Sequence, residues 1–126
     1  MKEIKGRAEI IELVDAFYDK VNKDELLSPV FNEIAGVKWE LHLPKMYNFW
    51  DSLLFGTQSY KGKPFDQHIP LPLMVKHFDR WVRLFNETLD ERFVGEKAEE
   101  ARVKATNIAG VFRFKMDMLG RMQAEI

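Results

Sequence analysis

Glycine and proline are few in this chain, seven and five residues, and they cut it into stretches where apolar residues recur every three or four positions. That spacing belongs to helices with one buried face, and it leaves little room for a sheet. The first stretch, about Arg7 to Lys23, aligns Ile10, Val14, Phe17 and Val21, with Ile11 and Tyr18 beside them; Asp24 and Ser28-Pro29 close it. A short apolar piece, Val30 to Ala35, ends at Gly36. A second helix is predicted from about Trp39 to Phe55, with Met46, Phe49, Trp50, Leu53 and Leu54 as its apolar set and Gly56 as its stop. Because proline is best tolerated in a first turn, the regular part is expected to start close to Pro44, which leaves His42 at the helix entrance rather than within it.

Thr57 to Gln67 reads as a loop, with Gly62 and Pro64 in it. Pro64 can open one helical turn that ends at His68, and Pro70 and Pro72 stop it there. A third helix is predicted from about Leu73 to Phe93, with Phe78, Trp81, Val82, Phe85 and Leu89 on one face and Lys76, Asp79, Arg80 and Arg83 mostly on the other. Gly95 separates it from a fourth, about Glu96 to Met122, whose apolar set is Val103, Ile108, Val111, Phe112, Met116 and Leu119. Its acidic first turn and basic later part suit the helix dipole. Alternating apolar runs are short and β-branched runs few, so the expected fold class is all-α, one domain over residues 1–126, without repeat or linker.

Composition then excludes several functions. A net charge of −1 gives no electrostatic reason to expect nucleic acid or an anionic membrane as partner. No run approaches the roughly 20 apolar residues of a membrane helix. The N-terminus starts charged and builds no signal peptide, so a cytoplasmic protein is expected. With no cysteine, disulfides, thiolate catalysis, iron–sulfur clusters and covalent haem attachment are all out. Phosphate-loop, GxGxxG, GxSxG and HExxH motifs are lacking. Aromatic residues are abundant at 13%, which fits either an aromatic core or a pocket shaped for a flat ligand.

Three histidines remain, His42, His68 and His77. His77, beside Lys76 at the edge of an apolar stripe, reads as a partly exposed structural residue. His68 follows a loop, with Phe65 before it and Ile69-Pro70-Leu71-Pro72 after it. An iron ligand needs a neutral imidazole, apolar surface alongside, and an acceptor for its second ring nitrogen. Free carbonyls at the end of one helical turn can supply that acceptor. On the residues alone His68 is either such a ligand or an ordinary loop histidine.

The segment Leu41-His42-Leu43-Pro44-Lys45-Met46-Tyr47-Asn48-Phe49-Trp50 resembles the distal helix of group III truncated haemoglobins, and His68-Ile69-Pro70-Leu71 resembles that family's proximal segment. Ala16-Phe17-Tyr18, Pro29-Val30-Phe31 and Phe78-Asp79-Arg80-Trp81 match further landmarks in order. The likeness runs from about Ile10 to Phe114. It implies a two-over-two helical sandwich around haem b, with His68 as proximal iron ligand. It also implies that Tyr18 and Trp81 supply polar groups to the distal pocket, that His42 is the distal-helix histidine, and that Phe31 packs on the haem. Phe49, Trp50, Leu53, Leu54, Phe65, Ile69, Phe78, Phe85, Ile108 and Phe112 are candidate cofactor contacts, although core packing would explain each. Lys45, Lys61, Lys63 and Arg80 are candidates for the haem propionates.

The expected function is binding of dioxygen, with nitric oxide and carbon monoxide as further diatomic ligands, by a monomer. The added expectation is redox chemistry of the nitric oxide dioxygenase or peroxidase kind, served by an unidentified reductase. A buried Tyr18 hydroxyl and Trp81 indole N–H each need a partner, and dioxygen can be one. The alternative is a cofactor-free helical interaction module whose aromatic residues are core.

Overall fold

The computed structural model describes residues 1–62, 64 and 71–120. Four α-helices, α1 (Arg7–Lys23), α2 (Trp39–Phe55), α3 (Val75–Arg92) and α4 (Glu96–Met118), follow one another, with a π-helical turn at Val30–Ile34. Among the described residues there is no sheet; one isolated bridge joins Lys2 to Phe93. α1 packs on α2 and α4 on α3, and α1 against α3 joins the two pairs. This is the all-α helical sandwich expected.

α1 buries Ile10, Leu13, Val14, Phe17, Tyr18 and Val21, a spacing that puts all six on one face. It stops at Asp24, whose carboxylate turns back to accept the N–H groups of Leu26 (3.1 Å) and Leu27 (2.9 Å). Asp24 also pairs with Arg80 of α3 at 2.5 Å, tying the α1 exit to the opposite layer. Burial pushes the Asp24 carboxyl up, but the Leu27 N–H, the Arg80 guanidinium and the Leu26 N–H together hold it below its ordinary value.

α2 corrects one expectation. Pro44 lies inside it and His42 lies in its first regular turn rather than ahead of it. The Leu41 and His42 N–H groups both reach Lys38 O, at 3.0 and 2.9 Å. The proline removes one later donor from a stretch where Glu40, Leu41, Pro44 and Lys45 are exposed, so water can satisfy the carbonyl it leaves. Gly56 ends the helix in the left-handed region at φ 65°, where a glycine carries no Cβ penalty.

α3 begins at Val75, two residues later than expected, because Met74 is its extended cap and donates its N–H to His77 Nδ1 at 2.9 Å. His77 is thus the partly exposed structural residue foreseen. In α4 the expected apolar set is split: Val103, Val111 and Leu119 are exposed, Ile108 and Phe112 are partly buried, and Met116 joins Ala98, Ala101, Ala105 and Ala109 on the buried face. Small side chains let α4 lie close against α3, and close approach outweighs the area that larger residues would bury.

Buried apolar residues fall into two clusters. One is built on α1, the middle of α2 and the second half of α3; the other joins Val30, Leu73, Phe78, Ala109 and Met116. The partly buried Trp81 packs against both.

Candidate functional site

Three helices each contribute one polar aromatic side chain to the face of the first cluster. Tyr18 comes from α1, where the 3.6-residue repeat sets it beside Phe17; it is 5% exposed. Burial drives its phenol far above the ordinary tyrosine range, and a hydrogen bond from the Trp81 side chain partly offsets this. An indole N–H can only donate, whereas a phenol both donates and accepts. His42, from α2, meets Tyr18 edge-on with ring centroids 5.7 Å apart at 83°. The residue is partly exposed, but its Nε2 is buried, and its ring packs against Tyr18 and Trp39.

Apolar rings surround these groups. Phe31, on the π-helical turn, lies 5.9 Å from Tyr18. Phe17 meets Trp81 edge-on at 5.4 Å, and Trp81 stacks on Phe85 at 5.8 Å and 11°. Phe85 in turn stacks on Trp50 at 4.8 Å. Trp50, Leu54 and Phe85 are sealed in the core, so they back the site, whereas Phe31, Phe49, Leu53, Trp81 and Ile108 keep part of their surface accessible. Phe78 and Phe112 belong to the second cluster. The structure thus gathers Phe31 and His42 around Tyr18, sets Trp81 next to them against Phe17 and Phe85, and divides the remaining wall candidates between the two clusters that Trp81 packs against. Phe65, His68 and Ile69 lie outside the described residues, as does Lys63. Of the other basic candidates, Arg80 is committed to Asp24 and Lys45 and Lys61 are exposed.

Trp39 belongs with this group, although sequence reasoning passed it over. It contacts Tyr18, Phe31 and His42 through its ring. The signal was its three-residue spacing from His42, which has meaning only if the turn before Pro44 is helical.

The set is mostly apolar with three polar groups converging from separate helices, which is the composition of a small-ligand pocket. A family model described as bacterial-like globin matches residues 2–118. The chain is a bacterial-like globin. Within that family it stands with the group III truncated haemoglobins: it is 35% identical over 108 residues to the group 3 truncated hemoglobin ctb of Campylobacter jejuni, covering 82% of this chain and 85% of the relative. The crystal structure of the group III truncated hemoglobin from Campylobacter jejuni superposes with a TM-score of 0.83 at 34% identity, covering 91% of this chain and 94% of that one. A group 1 truncated hemoglobin, GlbN of Nostoc commune, is 32% identical over 109 residues, 85% of this chain and 90% of the relative. Globins as a family bind haem and small gaseous ligands. Among the described residues of this globin, no helix is long and apolar enough to cross a membrane.

Proposed function

We propose that this globin holds one haem b and takes a diatomic ligand, dioxygen foremost, on the side where Tyr18, His42 and Trp81 converge. The convergence of these three side chains from α1, α2 and α3 inside an aromatic shell is the observation that carries the reading. The residues fit the group in three respects. Flat rings and aliphatic side chains of two apolar clusters offer surface to a macrocycle, the polar groups are few, and they come one each from α1, α2 and α3. His68 is proposed as the iron ligand from its sequence setting and the family likeness, with Phe65 and Ile69 beside it. When bound, the haem supplies an iron centre that coordinates dioxygen, nitric oxide or carbon monoxide and exchanges electrons.

The protein's own part is to exclude water and to present donors. Tyr18 stays protonated because burial disfavours the phenolate, so its hydroxyl hydrogen is available to a polar ligand throughout the physiological range. The Trp81 indole N–H is a second donor for the same ligand. A hydrogen bond to a partly charged acceptor is worth roughly 1.5–3 kcal/mol, or about ten- to a hundredfold in affinity. Such retention suits redox chemistry on a held ligand, of the nitric oxide dioxygenase or peroxidase kind with electrons from a reductase, better than simple carriage.

The test is an absorption spectrum of protein made with ample haem, recorded oxidised, reduced, and reduced under carbon monoxide. A strong Soret band that shifts with carbon monoxide is expected, and His68→Ala is expected to abolish the ordinary ligated spectrum. A colourless protein that takes up no added haemin refutes the reading in favour of a helical interaction module. An unchanged spectrum in His68→Ala refutes the assignment of His68.

A further inference from the structure

Among the described residues Trp39 is the one ring that touches all three of Phe31, Tyr18 and His42. It stacks on Phe31 (5.8 Å, 26°), leans on Tyr18 (5.3 Å, 51°) and meets His42 edge-on (5.5 Å, 83°). It is the first residue of α2, and His42 is three positions on, so both point to the same side of the helix. Tyr18 is buried and Trp39 only partly so. His42, itself partly exposed, therefore lies between the buried Tyr18 and the more accessible Trp39, with the indole edge against the imidazole where the two approach solvent.

The indole is not left to packing alone. Its Nε1–H donates to Asn32 Oδ1 at 2.8 Å, and Asn32 Nδ2 donates to Asn22 Oδ1 at 2.9 Å. Asn32 accepts on one side of its amide and donates on the other, so rotating that amide would cost both bonds. The chain runs from the end of α1, through the π-helical turn, to the start of α2. It fixes the plane of Trp39 from the outside, where water could otherwise have satisfied the indole.

We propose that Trp39, pinned by Asn32 and Asn22, is a latch that keeps His42 turned inward and so sets how fast small ligands pass between pocket and solvent. The inference rests on the ligand-pocket reading above. Trp39 acts through His42 and is a positioning residue. Because the pinning bonds are exposed, each carries only the modest net weight of a hydrogen bond in water, and the latch opens often enough to pass a ligand.

The test uses the haem-loaded ferrous protein with carbon monoxide. Asn32→Ala removes the acceptor and leaves every ring in place. The Trp39 indole N–H, followed by NMR, is expected to exchange with solvent several-fold faster. Carbon monoxide association and dissociation are both expected to quicken by a common factor of about two to ten, the weight of one net hydrogen bond, with the equilibrium affinity unchanged. Trp39→Phe keeps a ring on Phe31 without the N–H and is expected to behave alike, so it carries the test if Asn32→Ala folds poorly. In a His42→Ala background Asn32→Ala is expected to leave both rates alone. Unaltered indole exchange, unaltered rates, or the same acceleration with and without His42 would each overturn the latch. A chain that takes up no haem overturns the pocket reading and the latch with it; a chain that binds haem and carbon monoxide with unaltered kinetics overturns the latch alone.

Discussion

Replacing Tyr18 by Phe removes one oxygen and keeps the ring that Phe17 (4.8 Å), Phe31 (5.9 Å), Trp39 (5.3 Å) and His42 (5.7 Å) pack against. The buried ring area is therefore conserved, and what changes is the hydrogen bonding. With the ring packing kept, the expected loss of stability is small, about 1 kcal/mol or less. On the ligand, loss of a donor worth roughly 1.5–3 kcal/mol corresponds to dissociation about ten- to a hundredfold faster, because affinity differences within one site fall mostly in the off-rate. The assay is stopped-flow displacement of dioxygen by carbon monoxide from the ferrous protein, with urea unfolding run alongside. Carbon monoxide, a poorer hydrogen-bond acceptor, provides the control and is expected to leave Tyr18→Phe much more nearly at the parent rate. A folded, haem-loaded Tyr18→Phe protein whose dioxygen off-rate stays within about twofold of the parent would refute the donor role.

Two further predictions concern the frame that holds the site. The Asp24 carboxyl is held below its ordinary value in the folded protein, so its contribution to stability is complete above the ordinary carboxylate range and is lost as pH falls through the lowered value. Asp24→Asn is expected to cost about 1–2 kcal/mol near neutrality and to approach the parent in acid. Urea unfolding at several pH values checks this, and parallel stability profiles for the two proteins would contradict it. On α4, Ala105→Leu at a fully buried position is expected to cost about 1–3 kcal/mol through overpacking against α3. Phe114→Ser, on the same helix at 63% exposure, is expected to stay within about 0.5 kcal/mol; equal losses in the two variants would show that the alanine face is not the packed one.

Two polar members of the candidate site sit on strongly periodic helices, so their positions were legible, while their roles came only from the family resemblance. Tyr18 is placed by the repeat of α1 and Trp81 by that of α3, and both lie where the spacing puts them. His42 was read less well. The rule that a proline starts a helix moved the expected boundary to Pro44, and with it His42 and Trp39 lost their common face. The rule fails because an interior proline costs a hydrogen bond only if the freed carbonyl cannot find water, and here that part of α2 is exposed. Leu13, Leu84 and Thr88, all buried, were likewise absent from the predicted stripes. They sit at the edges of faces that are wider than the narrow repeats used to find them.

The fourth helix marks the limit more sharply. Its start could be anticipated from Gly95, but it ends at Met118 rather than near Met122, and only Ile108, Phe112 and Met116 of its inward side were in the expected set. Val103, Val111 and Phe114 are more hydrophobic than Ala101 or Ala105, and a single helix gives no reason to bury the smaller set. That reason exists only once α3 lies alongside, because alanines let two helix axes come close enough for their other side chains to interlock. By itself, then, the sequence determined that this chain is helical, where its first three helices run, that thiol chemistry is excluded, and which aromatic residues could surround a flat ligand. Only the tertiary structure decided that His42 packs against Tyr18, that Arg80 is committed to Asp24, and that Trp39 packs on Tyr18 and Phe31, because each of these depends on contacts between separate elements of the fold.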